Sequence, residues 1–308
     1  MQARISSSAF FRAKHTRIRR SVGDIIFDTA NVIFMIILSL LTIYPLLYVL
    51  FSSLSDAGLL MQHRGLLLAP INPTTLAYEL VFLNPNILRG YGNTLIYVIG
   101  GTSFSMLLTV LGAYAFSRKG AMLVPYMLFF VVFTMWFSGG MIPRFLLVRD
   151  LGLLNSRLAM IIPSAISTFN LIIMRTAFRQ IPASLEESAQ IDGARDLTIL
   201  FRIVIPLSMP VIAVIILFYA VANWNAWFDA MIFFNRRELF PLQLILREIL
   251  ILNSFDAMVT GAAVADEVQI GETIKYATVV IATVPILFIY PFLQKYFVKG
   301  IMIGAIKE

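Results

Sequence analysis

The chain has 308 residues, 59% of them hydrophobic and only 13% charged, with a mean hydropathy of +0.85. A soluble domain carries about 25% charged residues, so this composition excludes one and implies a chain embedded in a membrane. Cysteine is absent and histidine occurs only at His15 and His63, which removes disulfide, thiolate and histidine-built metal chemistry. The net charge of +7 reads as membrane topology and not as a nucleic-acid surface.

Residues 1–29 form a basic tail carrying Arg4, Arg12, Lys14, Arg17, Arg19 and Arg20, suited to an anionic inner leaflet. Nothing in it resembles a cleavage site ahead of a soluble domain. A membrane span needs about 20 apolar residues for a hydrocarbon core of about 30 Å. Six stretches of the region 30–308 meet this need, so the expected fold is an all-α bundle of six transmembrane helices. The first covers 30–51, with Pro45 inside it. The second lies within the charge-free stretch 90–117 and the third between Gly120 and Pro143. The fourth, the shortest, lies between Arg157 and Arg175, the fifth covers 205–228, and the sixth covers 276–294 with Pro285 and Pro291 in it.

Orientation follows from the basic residues. With both termini inside, the inner segments hold 15 of the 24 Lys and Arg, in short segments, which predicts N-in and C-in. The outer loops are then 52–93, 139–157 and 229–275. In the last, Leu242, Ile245, Leu246, Ile249 and Leu250 recur at i, i+3, i+4, i+7 and i+8, one face of a helix too short to span. It is expected to lie at the interface or to pack on the bundle. Arg144 and Arg149 fall on the outer side and carry the charge that would attract an acidic sugar, but acidic residues slightly outnumber basic ones there, which favours ordinary loop charges.

The polar segment of the second half on the inner side is 185–206, LEESAQIDGARDLTILFRIVIP. Ser184 and Glu187 have the spacing of a capping box, and Pro182 favours a fresh helix start. Gly193 interrupts the pattern with a residue suited to a sharp bend. Leu197, Leu200, Phe201 and Val204 then return at helical spacing, and Pro206 marks the next start. A short helix, a bend and a second helix feeding a span suit docking into a pocket on a soluble partner.

These residues resemble the EAA loop of binding-protein-dependent ABC import permeases, whose pattern is E-A-A-x-x-D-G-A, with nine residues between its Gly and a closing I-x-L-P. Glu187, Ser188, Ala189, Asp192, Gly193 and Ala194 fill the first part, and Ile203, Ile205 and Pro206 the second. Two positions depart, Ser188 for Ala and Ile205 for Leu, and both keep size and helix compatibility. The resemblance implies the transmembrane-domain fold of type I ABC importers, with a coupling loop at 178–206 that sits in a cleft of an ATPase subunit. It further implies a bacterial cytoplasmic (inner) membrane protein with a second homologous permease, two ATPase subunits and an extracytoplasmic solute-binding protein as partners. ATP and magnesium would belong to the ATPase subunits, with no cofactor on this chain.

The rest of the chain narrows the group. Asn93-Thr94, the run Ala113-Tyr114-Ala115-Phe116-Ser117-Arg118, Trp224-Asn225, the run from Arg237 to Gln243, and the C-terminus from Gln294 to Lys307 resemble carbohydrate permeases of the maltose-type and LplC-like branch. The implied cargo is an oligosaccharide, and the resemblance extends to permeases for acidic ones such as alginate or pectin fragments. No phosphate loop occurs, the dipeptide Gly-Lys is absent, and no H-E-x-x-H occurs, so no catalytic residue is proposed on this chain. A sugar path needs aromatic faces and amides, and Asn170, Tyr219, Asn223, Trp224 and Asn225 are of that type near span centres or ends. The same residue types also serve as interfacial anchors and inter-helix bonds. A secondary transporter or channel would need buried ion-coupling charge, which the spans lack, and a permease for amino acids or peptides would lack the C-terminal pattern.

Overall fold

The computed structural model describes residues 21–118, 122–252, 271 and 273–288. Most of the basic tail, residues 289–294 of the sixth stretch and the C-terminal motif from Gln294 to Lys307 lie outside them. The described residues are helical with no strand, and the chain divides into two compact units, Met1–Tyr48 and Val49–Glu308.

The described part of the first unit is one helix, α1 (Val22–Ser53), which continues into the second unit. Ser21 and Asp24 cap its start, the Asp24 carboxylate accepting from the Ser21 N–H at 2.9 Å. At about 1.5 Å per residue, its 32 residues exceed the hydrocarbon thickness. No residue of its most apolar window is buried. Thr29, Ser39 and Thr42 turn their hydroxyls back onto the carbonyls of Ile25, Met35 and Leu38. That is how polar side chains survive in an apolar span.

The second unit is built around α4 (Pro85–Ser117), 33 residues long. Two short helices precede it, α2 (Ala57–Gln62) and α3 (Leu76–Leu83). Asn84 caps α4 and Pro85 supplies its first turn, where a missing N–H is harmless. After α4 the chain departs from six uninterrupted spans. The third stretch, between Gly120 and Pro143, holds α5 (Val124–Trp136), and a bend of 116° leads from it into α6 (Met141–Asp150), a helix where a loop was expected. Gly139 and Gly140 make the turn, Gly140 at φ +83°. The fourth stretch is also not one span. It contains α7 (Leu158–Ile161), a break around Pro163, and α8 (Thr168–Arg179). Proline removes a helical donor and clashes with the preceding turn, so continuous hydropathy does not guarantee a continuous helix.

Next come α9 (Ala183–Ile191), α10 (Asp196–Ile199), a π turn over Leu200–Val204, α11 (Ile205–Leu207) and α12 (Met209–Trp224). The segment Asp196–Leu207 meets α12 at 86°. The fifth span therefore starts at Met209, after a bend at Ser208, and not at Pro206. Pro206 sits inside the preceding segment, where the ladder widens and the Ile205 N–H reaches back to the Leu200 carbonyl. Widening relieves the clash a proline imposes on the carbonyl four residues before it. Last are α13 (Phe228–Phe233), α14 (Leu242–Leu252) and α15 (Thr273–Phe288).

One apolar core joins α4, α8, the π turn and α12 through Ala113, Leu171, Met174, Phe178, Leu200 and Ile215. A second joins α3, the start of α4, α14 and α15 through Val81, Ile87, Leu242 and Ile274. The amphipathic helix α14, expected from its apolar stripe, thus packs on the bundle. Leu242, Ile245, Leu246 and Ile249 are buried and Leu250 is exposed. Gly90 on α4 lets α14 approach so closely that an added Cβ would stand 2.6 Å from Ile245 Cδ1 and 3.3 Å from the Leu242 backbone.

Candidate functional site

The segment between α8 and α12 has the bend that Gly193 predicts. Asp192 ends α9, Gly193 takes φ +81°, and the Gly193 N–H bonds the Gln190 carbonyl at 3.0 Å while the Ala194 N–H bonds the Ala189 carbonyl at 2.9 Å. This pair of reverse bonds is a Schellman motif, and its left-handed position is where glycine carries no Cβ penalty. The capping box does not form. Pro182 occupies the cap position, with no side-chain cap bond, and the helix begins at Ala183. Ser184 is therefore already inside the first turn, where its hydroxyl cannot serve as the cap.

The six motif residues divide by exposure. Glu187, Ser188, Asp192 and Gly193 face outward, whereas Ala189 and Ala194 are half-buried against the α4–α8–α12 core. Ile191 is 86% exposed and Leu197 61% exposed, so an apolar surface frames the exposed carboxylates. A turn with both apolar and charged groups outward is shaped to be covered by something else.

The loop is anchored to the end of α4. The Arg118 guanidinium donates to the Glu186 carboxylate, lies 4.2 Å from the Tyr114 ring centroid, and donates to Ser117 Oγ from both Nε and Nη2. From α8, Arg175 Nε donates to the Phe116 carbonyl at 2.8 Å, satisfying one of the carbonyls a helix end leaves open. The Ala113–Arg118 run is thus the docking end of α4. Sequence reasoning missed Arg118, Glu186 and Arg175 because each belongs to a different motif or to none, and no local spacing links them.

The opposite end of α4 holds residues 238–242. Asn93 Nδ2 donates to the carbonyls of Glu238, 2.7 Å, and Phe240, 3.1 Å. Tyr97 Oη donates to the Leu239 carbonyl at 2.8 Å, and the Leu242 N–H donates to Thr94 Oγ1 at 2.9 Å. Two motifs met separately in the sequence, Asn93-Thr94 and the run from Arg237, are the two halves of one clamp. Arg157 completes it by donating to Asn93 Oδ1 at 3.3 Å.

The five amide and aromatic candidates do not form one cluster. Asn170 is buried near the start of α8. Tyr219 is buried and shares a 2.7 Å bond with Thr109, while accepting from the Ser167 N–H at 3.0 Å. Asn223 donates to Thr102 Oγ1 at 3.3 Å and lies against Gly101. Trp224 is buried, edge-on to Tyr91, with an indole N–H that finds no partner among the described residues. Asn225 is exposed and lines a cavity of about 500 Å³ together with Trp227, Gln243 and Arg247, whose guanidinium stacks 4.4 Å from the Trp227 ring centroid. A second cavity, of about 560 Å³, is lined by Gly140, Arg144, Asp229 and Phe233. There Arg144 donates to Asp229 at 2.7 Å and to Ser164 at 2.8 Å, so its charge is held locally, while Arg149 pairs with Asp150.

Residues 121–303 match the family described as binding-protein-dependent transport system inner membrane component. The chain is 41% identical to the protein LplC of Bacillus subtilis (strain 168) over 293 residues, 95% of this chain and 98% of that one. It is 41% identical over 290 residues to the polygalacturonan/rhamnogalacturonan transport system permease protein YtcP of the same organism, covering 92% and 98%. Among solved structures, it superposes with a TM-score of 0.82 and 35% identity on a chain of a bacterial ABC transporter involved in the import of the acidic polysaccharide alginate, covering 90% of this chain and 99% of that one.

Proposed function

The chain belongs to the family of binding-protein-dependent transport system inner membrane components, and from that premise we propose that it is the permease subunit of an ATP-driven importer for an acidic oligosaccharide. It is a multi-pass protein of the bacterial inner membrane. In this reading the chain breaks no bond. It supplies half of a membrane passage, a second homologous permease supplies the other half, two ATPase subunits supply the energy, and an extracytoplasmic solute-binding protein delivers the cargo. Six passes with both termini inside are the topology that the distribution of Lys and Arg supports.

The observation that carries the reading is the loop around Gly193. Its motif residues sit on a fixed bend, with Glu187 and Asp192 outward and Ala189 and Ala194 inward on the core of the spans. ATP, with its magnesium, supplies the driving force when held on the partner ATPases. Glu187, Ser188, Asp192 and Gly193 face that partner, while Ala189 and Ala194 bear on the spans, so displacement of the loop tilts α8 and α12 against α4. The acidic cargo is favoured by the relatives, one named for polygalacturonan and rhamnogalacturonan transport and one for alginate import. It also suits the Asn225 cavity. Trp227 offers a ring for the C–H face of a sugar, Asn225 and Gln243 offer amides for hydroxyls, and Arg247 offers a cation for a uronate carboxylate.

The test is to isolate the tagged chain from its native membrane in mild detergent, identify the proteins that come with it, and measure ATP-driven uptake of oligogalacturonates in proteoliposomes. An ATPase and a second permease are expected, with uptake that stops without ATP. A chain isolated alone, or uptake driven by an ion gradient, would overturn the importer reading. ATP-driven uptake of neutral oligosaccharides alone would overturn the acidic cargo.

A further inference from the structure

Two adjacent glutamates on α9 have opposite environments. Glu187 is exposed, whereas Glu186 turns inward and its side chain is only 16% exposed. The inward one meets Arg118, the first residue beyond α4, and Arg118 is fixed from three directions: by the carboxylate of Glu186, by the face of Tyr114 one turn earlier, and by Ser117 Oγ. Tyr114 and Ser117 are themselves buried on α4. A planar, multiply bonded guanidinium stacked on a ring transmits direction better than a flexible ammonium, because fewer of its torsions stay free. Arg175 makes an independent tie from α8 to the Phe116 carbonyl, so the end of α4, the end of α8 and the start of α9 meet at one place.

We propose that Arg118 is a positioning residue which, through Glu186, makes α9 and the end of α4 move as one body. Displacement of the exposed face of α9 by the ATPase is thereby delivered to the longest helix of the bundle core. This assigns the two glutamates different tasks, Glu187 toward the partner and Glu186 toward the spans. The inference rests on the importer reading above and concerns how force travels inside this chain. Without Arg118 the loop would still be seated in its partner, but its motion would be taken up at the Pro182 and Gly193 ends of α9, and ATP would be spent without opening the passage.

The experiment uses the whole reconstituted complex and reads ATP hydrolysed per sugar taken up. Arg118→Gln is expected to raise that ratio roughly tenfold, within the ordinary range of an allosteric coupling, with the ATPase still co-purifying. If the variant does not reach the membrane, Glu186→Gln asks the same question from the loop side. The decisive variant combines Arg118→Cys with Glu186→Cys, and the natural chain has no cysteine to confuse it. With the thiols reduced, the ratio should rise as in Arg118→Gln. Joining them with a short bifunctional reagent should bring it back toward the unmodified value, because a covalent strut replaces the ionic one. A reduced double variant that couples normally, or a cross-link that deepens the defect, would overturn the proposal, the latter by showing that α9 must move relative to α4. Absence of ATP-driven uptake by the unmodified complex would instead overturn the importer reading itself, so the two failures are told apart.

Discussion

The two ends of α4 are tied down by opposite chemistry. At the Asn93 end, neutral side chains make the bonds to backbone carbonyls and an N–H of residues 238–242, Arg157 adds one longer bond to Asn93, and Asn93 and Thr94 are buried. At the Ser117 end, one partly exposed ion pair and one arginine-to-carbonyl bond hold a loop whose other face is open. Buried neutral bonds are expensive to leave unmade, because no water can replace them. A partly exposed ion pair contributes less, is screened by salt, and can part and reform. The contrast indicates which end is a fixed mount and which can serve as a moving joint.

The largest effect on transport should come from the joint. Gly193→Val places a β-branched residue at φ +81°, in a position where an added Cβ meets nothing, so the cost is backbone strain of about 1–2 kcal/mol. Uptake is expected to fall on the order of tenfold or more at an unchanged amount of chain in the membrane, since each 1.4 kcal/mol is about tenfold. Gly193→Asp should fall less, because aspartate visits the left-handed region more readily. Equal uptake by glycine and valine forms would remove the bend from the mechanism.

At the mount, Asn93→Ala strips the donor from two carbonyls at once. The expected loss is about 2–4 kcal/mol of stability, read as a lower unfolding midpoint of the detergent-solubilised chain. A midpoint unmoved by Asn93→Ala would erase the difference between the two ends. Gly90→Ala should cost about 1–3 kcal/mol by the same assay, since the new methyl meets Ile245 and the Leu242 backbone and the backbone cannot give. On the same helix, Leu250→Ser should change stability by no more than about 0.5 kcal/mol, because Leu250 stands outside the packed face. Raising ionic strength sharpens the comparison further: coupling should weaken at the Ser117 end while the unfolding midpoint set by the Asn93 clamp holds.

Much of the loop between α8 and α12 was legible in the sequence because its signals are local. Gly193 marks its bend through its own backbone freedom, and Pro182 marks the start of α9 through the angles it imposes. The capping box failed for a reason equally local. Proline took the cap position first, and Ser184 fell two residues too late. The broken third, fourth and fifth stretches were less legible, since hydropathy records what lipid accepts and is blind to a helix that turns within it. Helix α14 was visible as an apolar stripe, but the stripe fits a membrane surface as well as a neighbouring helix, and Gly90 decides for the helix only once the two are side by side.

What the sequence determined by itself is therefore the class: a charge-poor, cysteine-free chain of apolar helices with an EAA-like loop and no nucleotide-binding motif of its own. Such features are sums over composition or signals within a few residues, and they survive without knowledge of the fold. The tertiary structure alone decided the pairings. Arg118 meets Glu186 across 68 residues, and Asn93 meets the Glu238 carbonyl across 145. Each is one bond chosen from many that the same residue types could make. Which one forms depends on how α4, α8 and α12 pack, because packing alone sets which polar groups are left to satisfy one another away from water.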